Sequence, residues 1–118
     1  MSSNQVVSVL VNNDITLTLQ LTKQIYPNTA LTNYTPLNLT GLSLTFYIKA
    51  ASTAADSGAT TYTIGSGITV TNAALGQITV TIPKSANATA GLFWWRIDVI
   101  SGASVSTAMY GPYYVLSV

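Results

Sequence analysis

Residues 14–22 read Asp-Ile-Thr-Leu-Thr-Leu-Gln-Leu-Thr, with Ile15, Leu17, Leu19 and Leu21 at every second position and Thr or Gln between them. A period of two sends successive side chains to opposite faces, so the segment predicts a half-buried strand. The same alternation returns in Leu42, Leu44, Phe46 and Ile48, interleaved with Ser43, Thr45, Tyr47 and Lys49. It returns again in Ile78, Val80 and Ile82, interleaved with Gln77, Thr79 and Thr81, and in a short copy at residues 68–71. Val7, Val9 and Val11 predict a first strand, residues 60–64 a short one, and residues 92–100 a long one bounded by Gly91 and Ser101-Gly102. Residues 105–110 and 113–118 read as one last strand broken at Gly111-Pro112. Proline has no N–H for a ladder, so that strand is expected to bend there or to lie at an edge.

Turn residues separate these runs at Asn12-Asn13, Gly65-Ser66-Gly67, Ala74-Leu75-Gly76 and Ser101-Gly102. Short helical turns are expected within residues 50–58 and 85–89. Residues 26–38 contain Pro27 and Pro36 and show no period. About eight short strands with closely spaced turns predict an all-β fold, an antiparallel β-sandwich forming a single domain over residues 1–118. Its expected core contains Leu17, Leu19, Leu44, Phe46, Ile78, Val80, Trp95 and Ile97.

Composition narrows the chemistry. Only 6% of the 118 residues are charged, four Lys or Arg and three Asp, with no Glu, His or Cys; an ordinary soluble domain has roughly a quarter. Zinc sites built from His or Cys, a Cys nucleophile, a His base and disulfides are therefore excluded. A net charge of +1 leaves no electrostatic footprint for nucleic acid or an anionic membrane. The first residues lack the basic start and long apolar run of a secretory signal, and no apolar run approaches the ~20 residues of a membrane helix. Synthesis and assembly in a cytoplasm are expected. A mean hydropathy of +0.42 with so little charge favours association over a free monomer.

The three carboxylates have structural readings: Asp14 caps a turn, Asp56 is solvated in a loop, and Asp98 pairs with a neighbouring cation within its strand. Their spacing brings no two together. Lys84-Ser85 reads as the exit of a strand, not a Ser/Lys nucleophile, and Asn12-Asn13-Asp14 as a turn, not a calcium loop. No catalytic residue, metal site, cofactor or small-molecule substrate is expected. Asn33, Asn38 and Asn87 head Asn-x-Thr sequons, which matter only in a secretory pathway.

Residues 91–99, Gly-Leu-Phe-Trp-Trp-Arg-Ile-Asp-Val, are the most informative segment. Alternation sends Phe93, Trp95, Ile97 and Val99 to the core and Trp94, Arg96 and Asp98 to the other face. Trp94 then has two readings: packing on its own sheet, or anchoring an interface, where Trp, Tyr and Arg are enriched. The candidate interface residues are Tyr47, Trp94, Arg96, Tyr110, Tyr113 and Tyr114.

Several segments occur in a familiar order: Asn13-Asp14 opening an alternating strand, Leu39-Thr40-Gly41-Leu42-Ser43-Leu44-Thr45-Phe46-Tyr47-Ile48-Lys49, then Gly76-Gln-Ile-Thr-Val-Thr-Ile-Pro83, the aromatic strand, and an aromatic closing strand. In this order the chain resembles the immunoglobulin-like domain at the N-terminus of phage baseplate upper proteins, also found as small virion proteins. The resemblance implies an immunoglobulin-like sandwich without catalytic residues. It also implies a role as a virion building block, decoration or adaptor subunit of capsid, neck, tail or baseplate. Other virion proteins and copies of the chain itself would be its partners. The competing reading is a surface-binding, carbohydrate-recognising adhesin module. On the first reading, residues 26–38 are expected to reach over a neighbouring subunit.

Overall fold

Alternation of Thr with Ile, Leu and Val is realised as extended chain throughout. The structure, a computed structural model, describes residues 3–4, 6–24, 34–51 and 53–117. Its strands are β1 (Ser3–Asn4), β2 (Val7–Leu10), β3 (Ile15–Gln20), β4 (Thr22–Gln24), β5 (Tyr34–Pro36) and β6 (Ser43–Lys49). They continue with β7 (Thr60–Ile64), β8 (Gly67–Asn72), β9 (Gln77–Ile82), β10 (Gly91–Ser101) and β11 (Ser104–Leu116). The two expected helical turns are single 3₁₀ turns, Asp56–Gly58 and Lys84–Asn87. The fold is all-β, with no α-helix among the described residues.

Hydrogen bonding joins nine strands into one sheet in the order β1–β11–β10–β6–β7–β8–β9–β3, with β2 also paired to β11. The remaining pair, β4 and β5, is separate. Where the sequence predicts two sheets, the ladders are continuous because β7 and β8 touch through a short parallel pairing, Thr63 with Gly67 and Ile64 with Ile68. Glycine makes this crossing possible. Gly67 has a φ of +101°, and a Cβ there would lie 2.6 Å from Cδ1 of Tyr62.

Strands from both ends of this sheet contribute to one core. Val7 and Val9 of β2 and Leu19 of β3 belong to the same buried cluster as Phe46, Ile78, Trp95, Ile97 and Val115. A flat sheet cannot bring its two ends together, so the sheet curls around its apolar face. At the centre Phe46 stacks on Trp95, with ring centroids 5.4 Å apart and planes 16° from parallel. Seven of the eight expected core residues are buried. The eighth, Leu17, is half-buried against the cluster, because β3 is the last strand of its sheet.

The last strand is not broken. β11 runs through Gly111 and Pro112 with β10 on one flank, where Pro112 faces Trp94. On the other flank β1 pairs with Met109 and Tyr110 and β2 with Tyr113 to Leu116. Proline's missing donor thus falls where one outer partner ends and the next begins, which is why it interrupts nothing.

Residues 25–33 lie outside the described residues, and with them most of the segment expected to reach over a neighbour. Its C-terminal part is paired, not structureless: Tyr34–Pro36 forms a ladder with Thr22–Gln24. The Leu39 N–H then bonds the Ala73 carbonyl at 2.9 Å, burying Leu39 in the core.

A polar lock closes the bottom of the core. Asn87 is fully buried; its Nδ2 donates to the Asn13 carbonyl at 2.8 Å, and its Oδ1 accepts from the Tyr113 hydroxyl at 2.6 Å. The Asn12 N–H bonds the Asn87 carbonyl at 2.8 Å, and Asp14 accepts from the Lys84 N–H at 2.6 Å. Asn12 takes a positive φ of 63° to make this turn, a conformation asparagine tolerates. Asp14 thus caps a turn, but a distant one: the 3₁₀ turn opened by Lys84, 70 residues along the chain, and not the turn before its own strand. The sequon at Asn87 is closed in the folded chain.

Two measurements follow from this packing. Phe46→Ala or Trp95→Ala should cost about 3–5 kcal/mol in denaturant unfolding, and Leu17→Ala clearly less. Burial also pushes the Tyr113 phenol up to about 12, against an ordinary 10.0. The folded state then holds a proton that the unfolded chain releases. The Tyr113 contribution to stability is complete below about pH 10 and is lost as pH rises toward about 12. Tyr113→Phe should flatten that alkaline decline, measured as the unfolding midpoint against pH.

Candidate functional site: the aromatic face of β10

Strand β10 carries the outer face because each inward residue fixes its neighbour outward. Arg96 sits between Tyr47 of β6 and Tyr110 of β11. One step along, Trp94 sits between Lys49 and Pro112, and beyond it Leu92 pairs with Tyr114. In the opposite direction Asp98 lies between Thr45 and Thr107. The last pairing depends on a bulge. The register shifts between Ile97 and Asp98, skipping Ala108, and so brings the Thr107 hydroxyl to within 2.8 Å of Asp98 Oδ1.

Four of the chain's seven charged side chains meet here. Arg96 reaches Asp56 with both terminal nitrogens, Nη1 to Oδ1 at 3.2 Å and Nη2 to Oδ2 at 2.8 Å. Lys49 Nζ bonds the same carboxylate at 3.2 Å and the Ala54 carbonyl at 2.8 Å. The guanidinium lies 4.3 Å over the Tyr47 ring, and Nε is 3.0 Å from Asp98 Oδ1. That contact is an ion pair without hydrogen-bond alignment, since Nε is buried and makes no hydrogen bond. Hydrogen bonds from Arg96 and then Lys49 hold the Asp56 carboxyl below the usual carboxylate range. The same contact with Asp56 raises the Arg96 pKa. Asp56 is thus an ionised acceptor at neutral pH and not a proton donor.

Beside this cluster lies a cleft of about 320 Å³ lined by Tyr47, Lys49, Trp94, Trp95, Arg96, Thr107 and Tyr110. An apolar band continues from it across the sheet. Leu92, Tyr114 and Tyr110, together with the paired Leu10 and Leu116, are each 37–46% exposed. The arrangement offers stacking surfaces around ions already paired with one another, which suits recognition better than bond-breaking chemistry.

Of the six residues proposed from sequence, Tyr47, Trp94, Arg96 and Tyr110 line the cleft, and Tyr114 extends the band. Tyr113 does not join them. It neighbours Tyr114 on an extended strand, so it points the other way and is fully buried in the core. The Asp98 reading holds, with Arg96 as its cation. Asp56 is the correction: it is not merely solvated, and it shares Arg96 with Asp98, so one guanidinium joins two carboxylates that spacing left apart. Lys49 was missed as a member of the cluster. Its signal was an outward lysine ending a strand, followed by a loop with a single acid.

No family model matches the chain, and no curated protein matches it.

Removing Arg96 tests the cluster. Asp98 is only 5% exposed, so Arg96→Ala leaves a buried carboxylate without its cation and should cost about 3 kcal/mol in urea unfolding. Arg96→Lys should recover only part of that, lacking the planar fork. Asp56→Asn, at a half-exposed position, should change the midpoint little.

Proposed function

We infer that the chain is an immunoglobulin-like β-sandwich acting as a small, non-catalytic structural subunit of a bacteriophage particle. It is seated there through the aromatic face of β6, β10, β11 and β2. The observation that carries this reading is the apolar band on a face whose charges are already paired among themselves. Such a face can be covered by a partner without stranding an ion. Its five strands, with β7, cover about 24 Å by about 25 Å at ordinary strand spacing and rise. That is about 600 Å², near the ~800 Å² each partner contributes to a standard interface.

Strand order supports the sandwich. Divided at the short β7–β8 pairing, the sheet falls into β8–β9–β3 and β7–β6–β10–β11 with β1 and β2 beside β11, two groups that are compatible with the two layers of an immunoglobulin-like domain. The sequence resemblance supports the virion setting, in capsid, neck, tail or baseplate. Other virion proteins and further copies of the chain would then be its partners.

The cleft between Trp94, Tyr47 and Tyr110 favours one other reading, a carbohydrate-recognising adhesin. An aromatic wall beside a fixed carboxylate is the kind of surface a pyranose can stack on. A glycan array with the purified chain separates the two: specific sugar binding lost in Trp94→Ala would favour the adhesin. On the structural reading the array stays blank. Mass spectrometry of purified virions then finds the chain, and Trp94→Ala lowers its incorporation by about 2 kcal/mol or more while leaving the fold intact.

A further inference from the structure

The aromatic face lies at one side of the sheet; the other end finishes on β3. This strand has β9 on one flank, with Ile15 to Gln20 paired to Ile82 to Gln77 without a bulge. Among the described residues no strand pairs with its other flank. The β4–β5 pair does not cover it. Leu21, which leads from β3 into β4, donates its N–H to the Gly76 carbonyl at 2.8 Å and accepts from the Leu37 N–H at 2.9 Å. In extended chain both groups of one residue point to the same flank, so the Leu37 segment follows on the side of β9. Thr16, Thr18 and Gln20 then turn their backbone N–H and C=O groups to the open flank.

Open edges are usually guarded by lysine, proline or a bulge, and Ile15–Gln20 contains none of these. A second observation points the same way. The inward residues Ile15 and Leu17 are only half-buried, whereas Ile82 and Val80, their partners on β9, are fully buried. Among the described residues, burial thus falls off from β9 to β3 along this edge.

We propose that β3 pairs antiparallel with β3 of a second copy across a two-fold axis, joining the two sheets. The sequence is self-complementary for this. An axis through Leu17 places Leu17 on Leu17, Ile15 on Leu19 and Thr16 on Thr18. An axis through Thr18 likewise keeps apolar residues on apolar and Thr on Thr or Gln. Both registers preserve the inward and outward faces. No like charges meet, since Asp14 falls opposite Gln20 in the first and opposite Thr22 in the second. This surface is separate from the aromatic face, so a subunit using both has one contact for its own copy and another for a partner.

The chain has no cysteine, which makes single-cysteine crosslinking clean. T16C, T18C and Q20C, with T61C on the aromatic face as control, are treated with a short thiol crosslinker at high protein concentration. Covalent dimers are expected from T18C alone for the Thr18 axis, or from a T16C and T18C mixture for the Leu17 axis. Thr18→Lys should shift sedimentation of the otherwise native chain from dimer to monomer. Dimers at T61C with none at the β3 positions overturn the proposal and leave the aromatic face as the self-contact. A monomer with no crosslink anywhere, or a dimer indifferent to Thr18→Lys, overturns it as well.

Discussion

The registration of β10 against β6 constrains everything else. Trp95 and Ile97 are held inward by Phe46, whose ring stacks on Trp95 at 5.4 Å. Because side chains alternate strictly, that single stack also determines which residues face out. A slip of one residue would drive Arg96 and Asp98 into the apolar core and expose Trp95 and Ile97. The penalty for burying those ions unpaired is several kcal/mol, so the register has no close competitor. The outer face is therefore a by-product of core packing, and its geometry is as firm as the core itself.

Scarcity of charge shapes that face. With seven ionisable Asp, Lys and Arg side chains in the whole chain, four are spent in one cluster around Arg96. The cluster ties the loop after β6 to the centre of the sheet, since Asp56 receives both Lys49 and Arg96. What remains to keep the rest of the surface apart from other molecules is mostly threonine hydroxyls, which bind water but do not repel.

Much of this was legible because alternation is a local signal. Ile15 to Thr22, Ser43 to Lys49 and Gln77 to Ile82 each declare strand and face within a few residues, and seven of eight core assignments follow. The aromatic segment likewise announced both its faces. What stayed hidden depends on partners distant along the chain. Asp56 and Arg96 are forty residues apart and meet only through the fold of a loop. Tyr113 was assigned by its neighbourhood to other tyrosines, although adjacent strand residues cannot share a face. Pro112 looked like a break because its harmlessness depends on β1 and β2, more than a hundred residues upstream. The pairing across β7 and β8 depends on a close approach between Gly67 and Tyr62, which no periodicity encodes.

The parallel pairing of β1 and β2 with β11 has a consequence for how the chain reaches this state. Ser3 and Asn4 meet Met109 and Tyr110, and residues 7–10 meet residues 113–116. Contacts between strands this far apart along the chain carry a larger loop-closure cost than local pairings. During synthesis the first strands emerge from the ribosome long before their partner exists. Val7 and Val9, buried in the finished core, have no β11 to pair with until then. Completion of the fold is thereby tied to the synthesis of β11, and a chain truncated before that strand lacks the partner of β1 and β2.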